Sequence, residues 1–472
     1  MSPHMDRLTS IDTGFLAQER EGSHMHIGGL LIFEGPAPSR AEFAAHLEAR
    51  LHLVPRYRQR LSVPRFEMGR PLWVDDPSFQ LGFHVRQAAL PKPGSIEQLR
   101  LLMGRIFSQR LDRSRPLWEL WLVEGYEGES FAIISKTHHA LVDGVAGADL
   151  STVLFDLVPD GTAVPAPEWP WEPEKPPSGL DLVAKGVGEL AGAPLGFARR
   201  AFGVASRPGR SVERARSIDE GLGEVAWGRI SPAPETPLNG PIGSHRRVAW
   251  VRVGLAELKE VKNALGGTVN DVFLASVTGA LHRWLRSRSV RTEGLEIRSA
   301  VPVSVRAEGD GGALGNQITI MIGCLPTYCD DPAERLRIVS ESMKDLKESK
   351  QALGAEVISS IEEFAPPTLF ARASRLHFST RMYNLLTTNV PGPQFPLYLL
   401  GRELLELLPV AFLAPEQRLA IACMSYNGYV AVSLIGDYEQ MGDLEALADM
   451  VQDEVGALRA AAKLERMPVS LH

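Results

Sequence analysis

Apolar positions along the chain follow two spacings, one helical and one extended. Phe43, Leu47 and Leu51 recur every four residues behind Ser39-Arg40-Ala41-Glu42, a capping box, and Pro55 ends the run, which predicts a short amphipathic helix. Ser95 with Gln98 repeats that device ahead of Leu99, Leu102 and Ile106. Thr268 with Asp271 caps a longer helix whose apolar face is Val269, Val272, Phe273, Val277, Ala280, Leu281 and Trp284. Strands are predicted at 131–135, 247–253, 295–305 and 318–325, with a helix over 145–157 behind the first of them. Asn427-Gly428 between CMSY and YVAVSLIGD predicts a hairpin, because a tight two-residue turn needs positive φ at both positions and these residues tolerate it.

Two stretches interrupt the alternation. Residues 158–177 hold seven prolines, which remove backbone donors and fix φ too often for a helix or a central strand. Residues 231–244, SPAPETPLNGPIGS, are irregular for the same reason. The expected organisation is an N-terminal lobe over 1–157, a linker over 158–245 and a C-terminal lobe over 246–472. Mixed helices and strands in both halves predict an α/β protein of two lobes with its site between them.

Composition narrows the function. At 472 residues, 44% hydrophobic and 23% charged, the chain is globular rather than fibrous or disordered. A net charge of -7 argues against a surface shaped for nucleic acid. Three irregularly spaced cysteines, Cys324, Cys329 and Cys423, suit neither a disulfide framework nor a four-cysteine zinc site, so reduced, buried thiols are expected. No apolar run reaches the length of a spanning helix: the greasiest, 404–413, is broken by Glu406 and Pro409. The first residues, MSPHMDR, lack the apolar core of a signal peptide. A cytoplasmic protein, soluble or peripheral on a membrane, is the resulting expectation.

The sharpest local feature is Thr137-His138-His139-Ala140-Leu141-Val142-Asp143-Gly144, where a predicted strand hands over to a predicted helix. Imidazole titrates near neutrality, so a histidine there can take a proton from an alcohol and return it to a leaving group. Neighbours on a strand face opposite ways, so one of the pair reaches a given cavity while the other packs or holds a hydrogen bond. The spacing alone leaves three readings open: two structural histidines before an Asp-Gly turn, a metal site for which no partner motif is present, and a general base.

HHALVDG resembles the HHxxxDG motif of the CoA-dependent acyltransferase superfamily, which includes chloramphenicol acetyltransferase-like enzymes and peptide-synthetase condensation domains. Its flanks resemble one branch, the bacterial wax ester synthase/diacylglycerol acyltransferase family. The supporting blocks are LTSID at 8–12, Pro116-Leu117-Trp118, LNGPIG at 238–243, TVNDV at 268–272, VPVSVR at 301–306 and NVPGP at 389–393. In this order they span nearly the whole chain.

The resemblance implies two chloramphenicol acetyltransferase-like lobes with a substrate tunnel between them. It implies O-acyl transfer from acyl-CoA to diacylglycerol, giving triacylglycerol, or to a long-chain alcohol, giving a wax ester. Acyl-CoA is then a substrate, and neither a cofactor nor a metal is required. His139 is the expected base and His138 the more structural of the pair. Asp143 is expected to point away from substrate and pair with Arg306, and Gly144 to permit a backbone angle or a close approach. Asn270, with Thr388 and Asn389 as rivals from the second lobe, is the candidate source of an oxyanion or substrate contact. Capping by itself accounts for Asp271, and packing for Trp118. In 179–216, an apolar stripe of Leu182, Val183, Val187 and Leu190 precedes six arginines, Arg199, Arg200, Arg207, Arg210, Arg214 and Arg216. A solvated connector, a membrane or lipid-droplet anchor and a grip on CoA phosphates all fit that pattern. Two alternatives to the reading also stand: acylation of another hydroxyl or an amine, and a non-catalytic lipid-binding paralogue.

Overall fold

The computed structural model describes residues 6–63, 71–142, 153–161, 164–174, 232–304, 318–348 and 382–466. Two six-stranded sheets organise them, with a small three-stranded sheet beside the first. In the first large sheet the strand order is Tyr398–Leu399, Arg402–Val410, His26–Phe33, Ser130–His138, Trp118–Tyr126 and Val85–Ala89. In the second it is Ile318–Pro326, Glu296–Ser304, Leu385–Val390, Leu419–Tyr426, Tyr429–Asp437 and Arg246–Gly254.

The centre of the first sheet explains where the paired histidines sit. His26–Phe33 and Ser130–His138 run antiparallel from Phe33 opposite Phe131 to His26 opposite His138. Leu30 to Phe33 and Phe131 to Ile134 are buried, a continuous apolar run suited to a strand covered on both faces. Gly28 is required there, because a Cβ would lie 1.9 Å from the Ser135 carbonyl. The strand predicted at 131–135 therefore runs on through His138, and His139 opens the short 3₁₀ turn His139–Leu141.

The two halves of the chain do not form separate sheets. Arg402–Val410, from the C-terminal half, pairs antiparallel with His26–Phe33 and so completes the first sheet. Asp156 bridges to Tyr398, so the helix predicted over 145–157 has ended before Asp156; residues 143–152 lie outside the described residues. Arg50 ties this junction down, donating to Asp156 at 2.7 Å and to His46 at 2.7 Å in a buried cluster. Between the lobes, helix Ile96–Ser108 packs on strand Arg246–Gly254. Gly104 allows that approach, since a Cβ there would meet the Arg246 carbonyl at 2.6 Å. Arg100 lies over the Trp250 ring at 4.9 Å and donates to its carbonyl.

The predicted caps and hairpin are present. Ser39, Ser95 and Thr268 each form a capping box. Asn427 and Gly428 take φ of 40° and 90° between Leu419–Tyr426 and Tyr429–Asp437. Helix Val269–Ser287 is buried almost all round, against Leu255–Leu265, Pro332–Glu348 and Leu444–Arg466. The three cysteines are unpaired; Cys423 is buried, but Cys324 and Cys329 are only partly so. Among the described residues no single helix is long and apolar enough to cross a membrane.

Candidate active site

His139 stands just beyond the end of a central strand, where the backbone turns. Its N–H donates to the Met25 carbonyl at 2.9 Å, which anchors the turn to the segment entering the neighbouring strand. The ring stacks on Phe15 with centroids 3.8 Å apart and meets the edge of Phe412 at 5.5 Å. Phe15 belongs to helix Ser10–Gln18, which Thr9 caps by accepting from the Asp12 N–H. The LTSID block thus starts the helix that carries an aromatic floor to the imidazole.

Burial drives the His139 pKa from 6.5 down to about 4, its own backbone carbonyl pulling weakly the other way. Nδ1 is buried without a hydrogen-bond partner, so the part of the ring left accessible is not Nδ1. Among the described residues no carboxylate orients this histidine.

His138 is used differently. It is 1% exposed, and its Nδ1 accepts from the Ala140 N–H at 3.1 Å, capping the turn that presents His139. Because Nδ1 accepts, the neutral ring carries its proton on Nε2, which faces Glu19 Oε2 at 3.7 Å. Glu19 in turn is held by Arg113. Burial first, then the charge of Arg113, lowers the His138 pKa to about 3.

Pro116, Leu117 and Trp118 brace this corner and are all buried. Leu117 accepts the His138 N–H at 3.0 Å, and Trp118 donates to the Tyr57 carbonyl at 2.8 Å while stacking on His84. Asp271 serves its cap: Oδ2 accepts from the Thr268 N–H at 2.8 Å and from the Ser340 hydroxyl at 3.0 Å.

The two asparagine candidates come together. Asn389, exposed at the end of strand Leu385–Val390, donates from Nδ2 to Asn270 Oδ1 at 3.0 Å. That bond uses the Asn270 oxygen and one Asn389 N–H, which leaves both Asn270 amide N–H groups and the second N–H of Asn389 as donors. Thr388, half-buried, precedes Asn389 on the same strand. Among the described residues neither asparagine touches His139. Asp143, Gly144, Arg306 and the 179–216 segment lie outside the described residues. Also among the described residues, no group of three or more His, Cys, Asp or Glu is placed to hold a metal.

Two α/β lobes with a buried histidine at the end of a central strand define the chloramphenicol acetyltransferase-like class. Solved condensation domains share this architecture: one from the calcium-dependent antibiotic synthetase superposes with a TM-score of 0.59 at 17% identity, over 98% of this chain and 97% of that one. The wax ester synthase/diacylglycerol acyltransferase from Marinobacter aquaeolei VT8 superposes with a TM-score of 0.68 at 27% identity, covering 97% and 100%. A probable diacylglycerol O-acyltransferase of Mycobacterium tuberculosis is 33% identical, covering 98% of both chains. A second, putative diacylglycerol O-acyltransferase of that species is 34% identical over 94% of this chain and 88% of its own. The family model of the wax ester synthase/diacylglycerol acyltransferase catalytic domain matches residues 8–273, and that of the WS/DGAT C-terminal domain matches 314–459. The chain belongs to the wax ester synthase/diacylglycerol acyltransferase family and is an acyltransferase.

Proposed function

We propose that this acyltransferase moves a long-chain fatty acyl group from acyl-CoA to the hydroxyl of diacylglycerol or of a long-chain alcohol, with His139 as general base. The observation that carries the reading is the seat of one ring: His139 is held against Phe15 and Phe412 with Nδ1 sealed, and burial there favours its neutral form. With the proton on the sealed Nδ1, the Nε2 lone pair is left for substrate. Nε2 takes the acceptor's hydroxyl proton as its oxygen attacks the thioester carbonyl. The tetrahedral oxyanion collapses, the C–S bond breaks, and the imidazolium returns its proton to the CoA thiolate. No covalent acyl-enzyme is needed. The Asn270 amide, set by Asn389, is the group we assign to the oxyanion.

The reading includes attachment to a lipid surface through 179–216, supported by the apolar stripe and the arginines behind it. Thiol release from palmitoyl-CoA by wild type and His139→Ala, with diacylglycerol, with hexadecanol and with no acceptor, tests the chemistry. Release that requires both an acceptor and His139 is expected. A folded protein that releases no thiol with either acceptor refutes it and leaves other acceptors or a lipid-binding role.

A further inference from the structure

Phe412, the ring that meets His139 edge-on, lies where the chain has left its sheet. Pairing between Arg402–Val410 and His26–Phe33 ends at Val410 opposite Gly28, and the next strand begins at Leu419. An aromatic side chain on such a stretch keeps one orientation only if the backbone beneath it is tied down by other means. Here a side chain supplies the tie: Ser23, 1% exposed, donates from Oγ to the Leu413 carbonyl at 2.7 Å, across 390 residues of sequence. The Gln417 N–H donates to the next carbonyl, that of Ala414, at 3.1 Å.

Ser23 is itself well held. Its main-chain N–H and carbonyl exchange bonds with Arg20 at 3.1 and 2.9 Å, closing a tight turn over Glu21 and Gly22. Gly22, at φ 89°, lets that turn seat on the 238–243 block, because a Cβ would lie 2.7 Å from the Ile242 carbonyl. Two residues beyond Ser23, Met25 takes φ 51°, rare for a residue with a long side chain, and its carbonyl accepts the His139 N–H at 2.9 Å. Residues 23–25 thus grip the proposed base twice. Met25 holds its main chain, and Ser23 bears on its ring by way of Leu413 and Phe412.

We infer that Ser23 is a positioning residue: its buried hydroxyl sets Phe412 against the His139 ring, and so sets the direction in which the imidazole meets the acceptor hydroxyl. This role rests on the acyl-transfer reading and belongs to the same site. Removing the hydroxyl leaves a buried carbonyl unpaired, which drives 411–414 to shift toward a new partner. A displacement of about 1 Å at a reacting group costs up to about a hundredfold in rate.

The test is a double-mutant cycle on kcat with palmitoyl-CoA and hexadecanol, using wild type, Ser23→Ala, Phe412→Ala and the double variant, each rate divided by the folded fraction. Ser23→Ala is expected to lower kcat about tenfold, with KM for both substrates and the acid limb of the pH–rate profile in place. In the Phe412→Ala background the same change is expected to cost less than about twofold. An unchanged kcat in folded Ser23→Ala, a loss carried by KM, or an equal loss in both backgrounds overturns the role. Where Ser23→Ala does not fold, Ser23→Cys, close in shape but a weak donor, takes its place in the cycle. Hydrogen exchange on the same proteins separates this role from the reading beneath it. If wild type turns over neither hexadecanol nor diacylglycerol, acyl transfer to these acceptors fails. The positioning role then still stands if Ser23→Ala speeds main-chain exchange over 411–417 about fivefold or more while Tyr429–Asp437 exchanges as before, and it falls if 411–417 is unchanged or both segments quicken alike.

Discussion

Three histidines shielded from water, His24 and His138 buried and His139 partly so, should make the stability of this protein steeply dependent on pH. His24 and His139 have pKa values lowered to about 4 and His138 to about 3, against 6.5 in the unfolded chain. The unfolded state therefore binds more protons between these limits. The stabilisation is fully present above pH 6.5 and is lost as pH falls toward the folded values. At pH 5 each unfolded histidine is almost fully protonated and each folded one almost fully neutral, a loss of about 2 kcal/mol per site. Three sites together lose about 6 kcal/mol, the size of a whole domain's usual margin. His138→Asn isolates one share. The asparagine carbonyl can accept the Ala140 N–H that Nδ1 accepts now, so the turn keeps its cap while the titration disappears. Urea unfolding between pH 8 and pH 4.5 should show the wild-type curve falling more steeply near pH 5, by about 1.3 kcal/mol per pH unit. A deficit of the variant at pH 8 should therefore shrink by about 2 kcal/mol at pH 5. Parallel curves for the two proteins would refute the assignment of a buried, neutral His138.

The other predictions concern turnover. His139→Ala should lower kcat by about two to four orders of magnitude with little change in acyl-CoA affinity, whereas His138→Asn should retain most of its rate; equal losses in two folded proteins contradict the division of labour. Phe15→Leu keeps the volume but removes the stacked face, so kcat should fall about tenfold at constant KM, with Phe15→Tyr restoring it; a change in KM alone points to packing of substrate instead. Because His139 is neutral down to about pH 4, log kcat/KM should be flat through pH 6.5 and fall at lower pH, and a break at 6.5 would show a solvated base. Asn270→Ala should reduce kcat about a hundredfold if its amide meets the oxyanion, and no more than a few-fold if the Asn389 bond only holds the two segments together.

Much of the local order was legible because short-range chemistry sets it. The capping boxes at Ser39, Ser95 and Thr268 are each contained in four residues, and the Asn427-Gly428 turn in two. Strand alternation predicts different surroundings for His138 and His139, and their hydrogen bonding does differ: His138 Nδ1 accepts from the Ala140 N–H while His139 Nδ1 has no partner. The contacts that complete the site were not legible, for a reason of topology. Phe412 follows a strand, Arg402–Val410, that leaves the second half of the chain to pair with His26–Phe33. No local period records a pairing across almost four hundred residues. Phe15 lies only three residues beyond Asp12 in the helix that the LTSID block starts, yet a floor for an imidazole looks in sequence like any core aromatic.

The same crossing supplies contacts that would orient the histidine in the proposed mechanism without a carboxylate from the described residues. A base that must gain and lose a proton within one turnover is hindered by anything that fixes its charge, and a buried anion at Nδ1 would favour the imidazolium. Here the ring is oriented by van der Waals and aromatic contact on two sides and by one main-chain bond to Met25, none of which carries a net charge. Among the described residues, the nearby anion Glu19 faces His138 and is paired with Arg113. Burial lowers the cost of holding His139 neutral, and the aromatic face of Phe15 offers modest support to the cation that forms during transfer. Replacing Phe412 should then loosen the base without shifting its charge: in Phe412→Ala, kcat should drop while the acid limb of the pH–rate profile stays in place. A limb displaced toward 6.5 would instead mean that Phe412 acts by excluding water from the ring.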